Sequence, residues 1–64
     1  MAVQTAEKFL ERLEREPTLR VQLAIVNPRS LRQFVTFAQG KGFIFSEDDL
    51  KAALAKQPLP YLKF

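Results

Sequence analysis

Three consecutive acidic residues are the side chains in this 64-residue sequence best suited to hold a metal ion or to transfer a proton. They are Glu47, Asp48 and Asp49. A calcium loop spreads its oxygen ligands over about twelve residues around a central glycine, and a glycosidase needs two carboxylates across a cleft. Neither spacing is found around these acids. We therefore expect them to begin a helix, where they stabilise the positive end of its dipole.

The segment Gly40-Lys41-Gly42 is a second candidate, because glycines beside a lysine can cradle a phosphate group. A phosphate-binding loop needs a strand before it and a helix that opens directly from it. In this chain a predicted helix precedes the segment, and the next predicted helix begins only after Phe45. We therefore interpret the segment as the end of a helix followed by a turn.

Two residue types that carry much of protein chemistry are missing, since the chain has no Cys and no His. Disulfides, thiolate chemistry and the commonest general base and metal ligand are thereby excluded. We expect no catalytic residue, no cofactor and no metal, and a protein that is not an enzyme. The sequence has neither a run of about 20 apolar residues nor a secretory signal, so we expect no membrane span and a cytoplasmic location.

Basic residues without acidic neighbours mark the middle of the chain. The formal net charge is +3, and the segment from Pro17 to Gly42 holds four basic residues and no acidic one. These are Arg20, Arg29, Arg32 and Lys41. They could bind an acidic protein surface or simply be solvated. Arg29 and Arg32, near the start of the third predicted helix, could also contact the phosphates or bases of DNA or RNA. Four cations are few for a nucleic-acid-binding surface, however.

Exposed apolar anchors are the other candidates for binding. Phe37 lies about 100° from the centre of the apolar stripe of its helix, so it is either a boundary core residue or an anchor for a partner. The C-terminal tail carries Leu59, Tyr61, Leu62 and Phe64. Such large apolar side chains either pack back over the domain or dock to a partner.

The spacing of apolar residues predicts two helices in the first part of the chain. The first runs over residues 3–15, with a stripe of Val3, Ala6, Leu10 and Leu13. Pro17 closes it and can occupy the first position of the second helix. The second helix has a stripe of Leu19, Leu23 and Val26. It is apolar on more than one side because of Val21, Ala24 and Ile25.

Two further helices are predicted from capping residues. Asn27-Pro28 predicts a third helix over about residues 28–39, with the asparagine as its cap. Its buried face is expected to contain Leu31, Phe34, Val35 and Ala38. Ser46 is expected to cap a fourth helix through a capping box with Asp49. Four phenylalanines are expected in the core, namely Phe9, Phe34, Phe43 and Phe45.

These elements predict an all-α fold, a small bundle of three to four short helices with an extended C-terminal tail. A chain of this length forms one domain. We expect the domain to cover residues 1–57 and the Pro-containing apolar tail to cover residues 58–64, because two prolines prevent the last helix from continuing.

The segment from Gly42 to Leu50 follows an ordered pattern. A glycine is followed by an aromatic residue, any residue, a phenylalanine, a serine or threonine, acidic residues and a leucine. Residues 6–13, the short helix from Pro17 to Val26 and the third helix ending at Ala38 add to the likeness. Over roughly residues 3–56 the chain resembles the Nif-eleven domain, which is named for nitrogen-fixation gene neighbourhoods. The resemblance implies a compact helical domain of bacterial, often cyanobacterial, origin.

In many members of that family the domain is the leader region of a ribosomally made, enzymatically modified peptide. The resemblance implies that modifying enzymes bind the leader and that a double-glycine site releases the core peptide. This sequence instead has Gln57-Pro58-Leu59-Pro60 after the fourth predicted helix, and no Cys, Ser or Thr follows. We therefore expect a stand-alone member, and the alternative is a leader without its core peptide.

Three functions follow from the sequence as hypotheses. The first is a non-enzymatic protein-interaction module that binds another bacterial protein or complex, whose own docking surface is acidic or apolar. The second is a small accessory subunit of a larger assembly, and the third is a nucleic-acid-binding regulator. The oligomeric state is undetermined at this level. The predicted partner-binding residues are Arg20, Arg29, Arg32, Phe37, Lys41, Leu59, Tyr61, Leu62 and Phe64.

Overall fold

Four helices dominate a computed structural model of the protein, which describes residues 2–59. They are α1 (Val3–Arg15), α2 (Pro17–Val26), α3 (Leu31–Gly40) and α4 (Glu47–Lys56). The described residues contain no strand, so the prediction of a small all-α fold is confirmed. Tyr61, Leu62 and Phe64 of the predicted tail lie outside the described residues. None of the helices is long and apolar enough to cross a membrane.

Helix α1 is the centre of the fold, because it packs against both α4 and α2. Its apolar residues recur every three or four positions, so they meet on one face of the helix. The ring of Phe9 is fully buried there, with its centroid 5.5 Å from that of Phe34, 5.0 Å from Phe43 and 6.1 Å from Phe45. The predicted aromatic core is confirmed, with Phe43 at its partly buried edge.

The capping box predicted for α4 is present. The hydroxyl oxygen of Ser46 accepts a hydrogen bond from the backbone N–H of Asp49 at 3.1 Å, and the Asp49 carboxylate accepts one from the Ser46 N–H at 3.0 Å. The pKa of Asp49 is held below its usual range, first by this backbone hydrogen bond from Ser46, while burial opposes the shift. The box fixes where α4 begins, and Leu50 and Ala53 are then fully buried.

The junction between α2 and α3 differs from the prediction. Asn27 does not begin α3 but ends α2, with a left-handed backbone at φ 51° and ψ 62°. Helix α3 begins at Leu31, and its cap is Ser30, whose hydroxyl accepts a hydrogen bond from the Gln33 N–H at 3.2 Å. Asparagine tolerates the left-handed region better than most residues, so it can end a helix as well as begin one.

Helix α2 is buried on one side only. Leu19 and Leu23 join the core, but Ile25 is 78% exposed and Val26 is 55% exposed. The prediction that Val26 belongs to the buried stripe is therefore wrong. The helix packs on α1 and makes few contacts with α3, so among residues 2–59 no element covers its opposite side.

The chain returns to the core after α4. Leu59 is only 5% exposed and belongs to the hydrophobic cluster that includes Phe9 and Leu50. Of the two outcomes considered for the tail, Leu59 shows packing back over the domain. Its prediction as a partner-binding residue is corrected, because a side chain that fills the core is not available to another protein.

Candidate protein-docking site

An open groove runs between α2 and α3. One part of it has a volume of about 410 Å³. A second depression of about 630 Å³ shares Val26, Thr36 and Phe37 with it and extends along α3. We call this continuous surface the α2–α3 groove, lined chiefly by Gln22, Ile25, Val26, Arg32, Phe37 and Lys41. It is the place where the structure exposes neighbouring apolar side chains from two helices.

Helical geometry explains why α2 contributes to this groove. Each residue advances about 100° around a helix, so Ile25 lies about 200° from the buried Leu23 and faces away from the core. Val26 is the last residue of the helix, directly before the left-handed Asn27. An apolar helix end is thereby left beside α3 without being packed into the interior.

Phe37 lies at the boundary between the core and the groove. On the inner side its ring contacts Phe9, with the ring centroids 6.1 Å apart. The ammonium nitrogen of Lys41 lies 5.6 Å from the centroid of the Phe37 ring, which is a cation–π distance. Phe37 is therefore a boundary core residue that also lines the groove, and its role as an anchor for a partner stays a prediction.

The rim of the groove is positively charged. Arg32 and Lys41 line it, both are exposed, and no acidic side chain lines either part of it. Arg29 is exposed just before α3, where its backbone N–H donates a hydrogen bond to the Gln33 side-chain oxygen at 2.7 Å. Within the described residues, none of these three cations forms an ion pair. Their charge is therefore available to a partner.

Arg20 does not belong to this rim. Its guanidinium donates hydrogen bonds to the carbonyl oxygens of Leu13 at 2.7 Å and Glu14 at 2.6 Å. These carbonyls lie in the last turn of α1, where a helix lacks internal donors and carries partial negative charge. Arg20 thus ties α2 to the end of α1. The structure gives Arg20 a structural role and places it away from the groove, and its role as a partner-binding residue stays a prediction.

One polar atom beside the groove is unsatisfied. The side-chain oxygen of Gln22 is buried and has no hydrogen-bond donor within the described part of the chain. A buried acceptor without a donor costs about 1–3 kcal/mol. Gln22 therefore places a polar acceptor beside the apolar residues of the groove.

The other residues considered for chemistry have structural positions. Glu47 and Asp48 are exposed at the start of α4, and Asp49 is used in the capping box. Gly40 ends α3, and Gly42 has the positive φ of 90° that the following turn requires. No cluster of His, Cys, Asp or Glu that could hold a metal ion occurs in residues 2–59. These placements agree with the interpretations as a helix start and a turn.

Sequence reasoning missed Gln22 and Ile25 as groove residues. The signal was present in part, because α2 carries apolar residues on more than one side and a short helix in a small domain buries only one side. The spacing of the apolar residues could not predict which side of α2 would stay exposed, because the exposed side depends on where α3 lies.

The family model of the Nif11 domain matches residues 1–50 of the chain. This match includes α1, α2, α3 and the motif that begins at Gly42, and the Nif11 domain is not a known family of enzymes. No curated protein and no solved structure matches the chain. Because the family model matches well over half of the chain, the chain belongs to the Nif11 domain family.

Proposed function

We propose that the protein is an interaction module whose docking surface is the α2–α3 groove. The observation that carries this proposal is the exposure of Ile25 and Val26 beside the partly buried Phe37. Large apolar side chains grouped on one surface are typical of protein-binding sites, whereas a single exposed one is ordinary. The exposed cations Arg32 and Lys41 on the rim favour a partner with acidic groups.

Membership in the Nif11 domain family supports a role in recognition by other proteins. Leader-type members, as the resemblance implies, are bound by the enzymes that modify their core peptides. We propose that this chain likewise presents its surface to another bacterial protein or complex. An accessory subunit of a larger assembly would use the same groove, so this alternative differs in its partner and not in its docking surface.

Nucleic-acid binding receives less support from the same surface. Arg20 is engaged with α1, so only Arg29, Arg32 and Lys41 remain of the four central cations. Non-specific nucleic-acid binding depends on neutralising several phosphates, and its affinity falls steeply with salt. An apolar groove with two cations on its rim is better suited to a protein segment.

A capture experiment with two matched variants tests the proposal. The tagged chain is incubated with nuclease-treated extract of its native cell, and bound proteins are compared for the wild type, Ile25→Gln and Val21→Gln. Both substitutions replace an exposed β-branched residue of α2, but only Ile25 lines the groove. We expect Ile25→Gln to reduce capture of the specific partner at least about tenfold and Val21→Gln to retain it.

Circular dichroism of each variant establishes that the helices are intact. Equal capture by the wild type and Ile25→Gln would contradict the proposed docking surface. A parallel capture from untreated extract serves as the comparison. Binding that is present in untreated extract and absent from nuclease-treated extract would instead support the nucleic-acid hypothesis and contradict a protein partner.

A further inference from the structure

The structure carries a protrusion whose chemistry complements the α2–α3 groove. Ile44 is 71% exposed in the segment between α3 and α4. Among residues 2–59 it is the one exposed large aliphatic or aromatic side chain outside α2. Its neighbours Phe43 and Phe45 are held against the ring of Phe9, so the backbone on both sides of Ile44 is anchored. The protrusion is thus presented in a fixed position and needs little ordering on binding.

The charges near the protrusion are opposite to those of the groove. Glu47 and Asp48 follow Ile44 closely, are exposed, and form no ion pair within the described part of the chain. The groove combines apolar side chains with Arg32 and Lys41 on its rim. An apolar side chain beside two carboxylates therefore matches an apolar groove beside two cations.

We propose that a second copy of this chain occupies the α2–α3 groove by inserting Ile44. The Glu47 and Asp48 carboxylates of the second copy then lie near the Arg32 and Lys41 side chains of the first. This inference rests on the proposed function, since it names an occupant for the same docking surface.

The positions of the two surfaces favour a symmetric pair. Ile44 follows Lys41 by three residues, so their Cα atoms are separated by no more than about 11 Å. Because the protrusion adjoins one end of the groove, a two-fold arrangement can place the Ile44 of each copy in the groove of the other. The contact is small, so the association is expected to be weak and to depend on concentration. Another protein that docks in the groove would compete with this pairing.

Light scattering and sedimentation velocity of the purified chain, over a concentration series, test the inference. The variants are Ile44→Gln for the protrusion, Ile25→Gln for the groove and Val21→Gln as a control on the same helix. We expect dimers of equal affinity for the wild type and Val21→Gln. Each of the other two variants should weaken self-association at least about tenfold. Added salt should also weaken it, because the paired charges are exposed.

A mixture of the two weakened variants gives the sharpest measurement. Ile44→Gln retains an intact groove and Ile25→Gln retains an intact protrusion, so the mixture should associate more tightly than either variant alone. A wild type that is monomeric throughout the series overturns the inference. Unchanged association of Ile44→Gln overturns it as well, and so does a mixture that restores nothing.

The two proposals fail in different experiments. A monomeric wild type with partner capture that depends on Ile25 overturns the self-pairing and leaves the docking surface standing. Self-association that depends on Ile44 and Ile25, together with capture that does not depend on Ile25, supports the pairing and contradicts the partner-docking proposal.

Discussion

The interface between α1 and α4 and the α2–α3 groove use similar apolar residues with opposite results. Phe9 and Leu10 of α1 are fully buried with Leu50 of α4, whereas Ile25 and Val26 of α2 remain more than half exposed. The first interface joins helices with one apolar face each, and a capping box fixes the start of α4. The second interface involves a helix that is apolar on more than one side, and α3 covers little of it.

This difference separates stability from binding in a very small domain. A chain of about 60 residues buries a limited fraction of its surface, so it cannot cover every apolar side chain it carries. The protein packs four phenylalanine rings and most of its leucines around Phe9, and it leaves Val21, Ile25, Val26 and Ile44 at the surface. We call the interface of α1 with α4, including the rings around Phe9, the closed half, and we call the α2–α3 groove the open half. The closed half is therefore expected to set the free energy of unfolding, and the open half is expected to set what the protein binds.

The largest effect is expected from Phe9→Ala, which should cost about 3–5 kcal/mol because the ring is fully buried among four other phenylalanine rings. A domain of this size has a total stability of about the same magnitude, so the variant should be mostly unfolded. Circular dichroism during urea titration measures the change. The matched substitution Ile25→Ala on the open side should change stability by less than about 0.5 kcal/mol. Similar losses for both variants would remove the distinction between the two halves.

A smaller effect is expected from Arg20→Gln, at about 1 kcal/mol. The variant loses charged hydrogen bonds to the carbonyl oxygens of Leu13 and Glu14, and partial exposure of the guanidinium keeps the loss modest. Arg29→Gln removes an exposed cation and should leave the urea midpoint nearly unchanged. If Arg20→Gln had no effect on stability but weakened partner capture, Arg20 would belong with the docking surface.

The smallest effect concerns the pH dependence of the closed half. The pKa of Asp49 is lower in the folded chain than its ordinary value of 3.8, mainly because the carboxylate accepts the Ser46 N–H. Its contribution to stability is therefore present above pH 3.8 and is lost as the pH falls through the lower folded-state value. Asp49→Asn should flatten this part of the stability curve, measured by urea titration at a series of pH values. Asp48→Asn, which lies outside the capping box, is the control, and equal flattening by both would contradict the assignment.

Much of the closed half could be predicted from the sequence, because its signals are local. The regular spacing in α1 gives its range, Pro17 marks the start of α2, and Ser46 with Asp49 forms a recognisable capping box. The start of α3 was misplaced because Asn27-Pro28 is a strong helix-start signal that competes with Ser30. Gln33, three residues after Ser30, was a usable signal for the actual cap.

The open half could be predicted only in part. The basic residues and Phe37 were identified from composition and spacing, and the structure brings Phe37, Arg32 and Lys41 to one groove. The exposure of Val26 and the use of Arg20 as a tie to α1 depend on how the helices are placed in space. The sequence of α2 alone does not specify which of its sides packs on α1, so it could not predict the surroundings of either residue.

The burial of Leu59 has a practical consequence for where the folded unit can be cut. The family match ends at Leu50, in the first half of α4, but Ala53 and Leu59 complete the interior after that point. A fragment of residues 1–50 would lose most of α4 and would uncover the rings around Phe9. The hydrophobic interior therefore extends beyond the residues that the family model matches, as far as Leu59.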